Sequence, residues 1–155
     1  MPEIDYRKAI QMLLLIAGAY IVFVLITSWS DFGLTVKPDA QLKWMTVRIA
    51  TVSGWLFLAA ILLRFRQHSL HWDGAVTAFA VTVLATFMIA SSIVSEGTNF
   101  VVVAASFFFF AAISGLYGLM INNRILASVL GVVIFVAQLA VDALAHIFSG
   151  LFKLH

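Results

Sequence analysis

Five stretches of this sequence are nearly free of charge, and each is about as long as a bilayer is thick. A helix that crosses the hydrocarbon of a membrane takes roughly 20 predominantly apolar residues. Residues 9–27, 45–64, 74–94, 100–121 and 125–148 meet that requirement, with short polar connections between most of them. Hydrophobic residues are 63% of the 155-residue chain and charged residues 10%, against about 45–50% and about 25% in ordinary water-soluble domains. So few charges cannot cover the surface of a soluble fold. The expected architecture is an all-α integral membrane protein. It forms a single domain over residues 1–155, a bundle of about five transmembrane helices with short loops.

The ends of the stretches carry boundary signals. The leader mixes Glu3 and Asp5 with Arg7 and Lys8, and no small-residue cleavage site follows the long apolar run, so the first helix is expected to be retained. Pro38 suits the first turn of a helix, where its missing N–H costs nothing, so the second helix is expected to start ahead of its apolar part. Trp29 and Trp44 flank the longest connection, as an aromatic belt would. Arg64 and Arg66 close the second stretch, and Asp73 is placed to cap the third. Gly97 is suited to a left-handed helix end between the third and fourth stretches, and Asn122, Asn123 and Arg124 form the last turn. Both prolines fall outside the apolar spans, so no proline-broken half-helix is indicated.

Lys and Arg in short loops set orientation. With the N-terminus inside, Arg7, Lys8, Arg64, Arg66 and Arg124 are cytoplasmic, and Lys37, Lys43, Arg48 and Lys153 are outside. That balance favours a cytoplasmic N-terminus and an external C-terminus. A multi-pass protein of a bacterial inner membrane fits it. The formal charge of +2 gives no reason to expect nucleic acid as a partner, and the absence of cysteine excludes disulfides and thiolate metal sites.

Helix association in lipid relies on close packing of small residues. In the last stretch Ala127, Gly131, Gln138, Asp142 and Ala145 fall on one helical face. Val129, Val133, Val136, Ala140, Leu144 and Ile147 fall on the other, which is expected to meet lipid. The fourth stretch carries Ala111, Gly115 and Gly118, again at packing spacing. The fourth and fifth helices are therefore expected to pack as a close hairpin. Phe107 to Phe110 cover all sides of a helix and read as core and lipid contact.

Asp142 is the one carboxylate inside an apolar run, with Gln138 four residues before it and His146 four residues after. Ionisable groups in membrane helices usually face a bundle interior. Arg48 opens the second stretch on the same side, so an Asp142–Arg48 pair is expected, with His146 as a further partner. Together these four form a polar seam that reads first as a structural joint and second as an ion or substrate contact. His68 and His71 lie on the opposite side of the membrane from His146 in any orientation, so haem held within one chain is not expected, and no metal site or resident cofactor is assigned. No nucleophile motif, phosphate loop or paired carboxylates are present, and no catalytic residue is named. The leading expectation is a non-catalytic subunit, held in the lipid bilayer, that assembles with itself or with larger membrane proteins. Two others follow: a small oligomeric transporter or channel that uses the polar seam, and a membrane subunit that shares haem or quinone with a partner.

Overall fold

The structure is a computed structural model that describes residues 4–29, 38–93 and 100–151. It is all-helical in these segments, with α1 Tyr6–Trp29, α2 Pro38–Phe65, α3 Trp72–Ile93, α4 Phe100–Gly118 and α5 Arg124–Leu151. The expected turn at 95–99 and the loop at 30–37 lie outside the described residues.

Helix ends follow local chemistry more closely than the apolar pattern does. Asp5 starts α1: its Oδ1 accepts the Arg7 N–H at 3.2 Å and its carbonyl accepts Ala9 N–H at 3.2 Å. This is N-cap geometry, so α1 begins ahead of its apolar stretch. Pro38 opens α2. Asn123 caps α5, its Oδ1 accepting Ile125 N–H at 2.9 Å. Asp73 differs from expectation. The helix already runs from Trp72, so Asp73 sits inside the first turn of α3, where its charge faces the positive end of the helix dipole. The fourth helix is also shorter than its apolar stretch and ends at Gly118. There Met120 N–H bonds Tyr117 O and Ile121 N–H bonds Gly118 O, the tightened spacing of a terminating helix.

The helices alternate in direction. Ile4 N–H bonds Leu70 O at 3.2 Å, His71 N–H bonds Leu119 O at 2.7 Å, and Asp73 faces Arg124 across α3 and α5. One end of the bundle therefore gathers the starts of α1, α3 and α5 and the ends of α2 and α4. The most extensive packing is of α3 against α4 and α5, and α4 also meets α5, α1 and α2. The molecule is a tight triad, α3–α4–α5, with the α1–α2 hairpin laid on its α4 side.

Helical periodicity sets which side chains turn inward. Val52, Leu56, Ala59 and Leu63 bury one face of α2, and Ala9, Leu13, Tyr20 and Val24 bury one face of α1. The phenylalanine run of α4 splays as its spacing requires. Phe107 meets Phe135 of α5, Phe108 meets Phe79 of α3, Phe109 meets Tyr20 and Phe23 of α1, and Phe110 is buried. What remains outside is apolar, including Leu14, Leu15, Phe57, Phe87, Met88 and Ile125. On α5 the exposed face is Val129, Val133, Val136, Ala140, Leu144 and Ile147. Among the described residues, Tyr6–Ile26 and Arg124–Val141 are long and apolar enough to cross a membrane, and Ile49–Phe65, Trp72–Met88 and Phe107–Gly118 are shorter apolar segments. Only 22% and 28% of the two long windows is buried, unlike the core helix of a soluble protein.

Candidate functional site

The interior polar groups fall into two neighbouring clusters along the triad. The first is built on an i, i+4 row of α3: Gly74, Ala78, Thr82 and Thr86. Such spacing stacks residues on one helical face. The glycine end of this row lets backbones touch. A Cβ on Gly74 would collide with the carbonyls of Gly118 and Ile121, and one on Gly118 with the Gly74 carbonyl. Deeper along the same row, Thr82, with Ser114 of α4, is fully buried, and their hydroxyl oxygens are 2.8 Å apart. Both reach Ala78 O, Thr82 at 2.8 Å and Ser114 at 3.4 Å. Gly131 of α5 closes this cluster. A Cβ there would stand 2.9 Å from Ala78 O, 3.0 Å from Thr82 Oγ1 and 3.3 Å from Ser114 Oγ.

The second cluster centres on Trp55 of α2. Its indole Nε1–H donates to Gln138 Oε1 of α5 at 3.3 Å, and the Tyr117 hydroxyl of α4 donates to its backbone carbonyl at 2.6 Å. The Trp55 and Tyr117 rings also meet edge to face, with centroids 5.8 Å apart. Buried polar groups need partners, and here an indole and an amide supply each other. Trp55 thus joins three helices. Thr86 is the exception in the seam. It is 8% exposed, and its hydroxyl has no hydrogen-bond partner.

Of the four seam residues expected from sequence, Gln138 is buried and bonded to Trp55. Asp142 and His146 lie on α5 one and two turns beyond it, and Arg48 lies on α2. The side chains of Arg48, Asp142 and His146, and with them the expected Asp142–Arg48 pair, lie outside the described residues. The packing residues Ala111, Gly115, Gly118, Ala127 and Gly131 are all buried. Helices α4 and α5 do pack against each other, but the closest approaches of these glycines are to α3. Gly118 meets Gly74, Gly115 approaches Ala75 and Phe79, and Gly131 approaches Ala78, so the stripes of α4 and α5 both close on α3. The reason is that α3 carries a small-residue row of its own.

Trp55, Thr82, Thr86 and Tyr117 were not singled out from sequence. A signal was present for two groups of them. Trp55 is the one tryptophan in the middle of an apolar stretch, where its N–H demands an acceptor, and Thr82 and Thr86 continue the Gly74–Ala78 row.

The described seam is electrically neutral: hydroxyls, one amide, one indole and one phenol. It can fix helix register, but it offers no group that exchanges a proton near neutral pH. His68 and His71 lie at the end where α5 starts, and position 146 is about 33 Å along α5 from that end at 1.5 Å per residue. Among the described residues no three His, Asp or Glu side chains gather in one place. Comparison of the chain with protein-family models, with curated proteins and with solved structures gives no match.

Proposed function

We propose that the chain crosses the bilayer five times with a cytoplasmic N-terminus, and serves as a non-catalytic assembly subunit that docks with itself or with larger membrane proteins. The observation that carries this reading is how interior and surface polarity are arranged. Interior polar groups are matched across helices, as Trp55 with Gln138 and Thr82 with Ser114, so they act as joints. The surface is the reverse, a continuous apolar face along α5 from Ile125 to Ile147 that needs lipid or another helix over it. A soluble chain with this surface would aggregate.

The test is purification of the full chain in mild detergent, followed by native mass spectrometry and residue-specific cross-linking from Val133 and Val136. A defined homo-oligomer or a stoichiometric partner, cross-linked through that face, supports the reading. A monodisperse monomer with no cross-links through it removes the reading.

A small transporter or channel is the second reading, and Thr86 favours it, because an unpartnered hydroxyl on a seam that leads toward Asp142 provides a place for a polar guest. Asp142→Asn separates the two. Loss of flux in liposomes with assembly intact supports transport, and loss of assembly alone supports the subunit role.

A further inference from the structure

The end of the bundle that gathers the starts of α1, α3 and α5 plays no part in the polar seam, and it is strongly basic. Arg7 and Lys8 lie in the first turn of α1, Arg64 in the last turn of α2 with Arg66 just beyond it, and Arg124 in the first turn of α5. All five are exposed. The acids described at this end are Asp5 and Asp73. Asp5 caps α1 through its Oδ1, and Asp73 stands 3.7 Å from Arg124, whose side chain is 71% exposed. Among the described residues Arg7, Lys8, Arg64 and Arg66 have no ion pair.

Arg64 and Arg66 suit the C-terminal end of α2, but helix stability does not account for the other three. Arg7, Lys8 and Arg124 occupy first turns, where a cation opposes the helix dipole and an anion is favoured. Three helix N-termini converge at this end, and the positive ends of their dipoles favour anions over cations. The charge therefore answers to something outside the chain. Between the start of α1 and the connection after α2 lies an open recess of about 300 Å³, lined by Ile4, Asp5, Tyr6, Gln67, His68 and Leu70. Tyr6, Gln67 and His68 supply donors, Asp5 keeps one acidic edge, and Arg7 and Arg66 adjoin the lining residues in sequence. Phe65 (81% exposed) and Trp72 (38% exposed) stand at the same level. Rings at such a boundary pack against acyl chains, which a free anion does not have.

We propose that this end binds the phosphate headgroups of anionic phospholipids in the cytoplasmic leaflet, with Arg7, Lys8, Arg64 and Arg66 supplying the charge and the recess seating a headgroup. The inference rests on the membrane reading above. Each Lys or Arg close to an anionic leaflet is worth about fivefold in binding.

The test uses the full chain in detergent, with native mass spectrometry of retained phosphatidylglycerol against phosphatidylcholine. Phosphatidylglycerol is expected to be retained well over 25-fold better, since two of the four cations alone account for about that factor. The pairs R7Q/K8Q and R64Q/R66Q are each expected to lower that retention by roughly 25-fold, at unchanged melting temperature because all four side chains are exposed. Equal retention of the two lipids, or a preference that survives in the quadruple variant, overturns the proposal. Displacement of the lipid by millimolar inorganic phosphate also overturns it and makes the site one for a soluble anion. Liposome flotation with carbonate washing separates the two levels. A chain that fails to float takes the membrane reading down, and a chain that floats without lipid preference takes down only this inference.

Discussion

Alanine substitution at Gly118 is the sharpest test of the α3–α4 approach. A methyl there would collide with the Gly74 carbonyl and stand 2.8 Å from Ala78 Cβ, well inside the optimal carbon–carbon separation of about 3.5–4.0 Å. Overpacking costs about 1–3 kcal/mol in general. The upper end applies here because the obstacle is backbone, which cannot swing aside as a side chain does. Against this stands the gain from replacing glycine in a helix, about 0.5–1 kcal/mol, and smaller at a helix end. The expected net loss for G118A is about 2 kcal/mol. Gly54 is the internal control, with nothing within 4 Å of an added Cβ, so G54A should be neutral or gain up to about 1 kcal/mol. The gap between the two is then about 3 kcal/mol, more than a hundredfold in the folding equilibrium. G74A should match G118A. G131A should fall between, since Thr82 and Ser114 hydroxyls can rotate but Ala78 O cannot. G115A, with neighbours at 3.5 Å, should be near neutral. Reversible unfolding in mixed micelles, followed by circular dichroism, reads the series. A G118A variant within about 0.5 kcal/mol of G54A would refute the backbone contact and the placement of α3 with it.

Trp55→Phe and Gln138→Leu should be coupled in a double-mutant cycle, by about 0.6 kcal/mol if the proposed membrane setting holds. The 3.3 Å separation places it at the modest end, and strictly additive losses would show that indole and amide do not bond. Thr82→Val and Thr86→Val should differ in sign. The first breaks a buried hydroxyl pair and should cost about 1 kcal/mol, while the second removes a hydroxyl with no partner and should be neutral or stabilising by up to about 1 kcal/mol. Equal destabilisation in the same unfolding assay would mean that Thr86 is satisfied.

The existence of all five helices was legible because each rests on a long apolar run, a signal that does not depend on neighbours. Their ends were less legible, since Asp5 and Asn123 act through single side-chain oxygens that hydropathy does not register. The contact faces of α4 and α5 could also be read, because small residues at Ala111, Gly115, Ala127 and Gly131 repeat at helical spacing. Their partner could not be read from those stripes alone. A small-residue stripe states that a backbone comes close and does not say which one, and the answer lay in the Gly74–Ala78–Thr82–Thr86 row of α3. Gln138 was expected in a polar seam on α5, but its donor lies 83 positions away on α2, a distance over which periodicity carries no information.

That long-range bond bears on how the two parts of the bundle are held in register. If the chain spans a bilayer as proposed, apolar side chains on neighbouring helices gain little by touching one another, because lipid tails are equally apolar. The α3–α4–α5 triad avoids the difficulty through backbone contact at Gly74 and Gly118. Among the described residues the α1–α2 hairpin has no glycine in such contact, since Gly18 and Gly54 have nothing within 4 Å of an added Cβ. Its attachment therefore depends on directional groups. Trp55 supplies two of them, its indole N–H toward Gln138 of α5 and its carbonyl toward the Tyr117 hydroxyl of α4. Sliding α2 by one turn would break both bonds together, which makes Trp55 the residue that fixes where the hairpin sits on the triad.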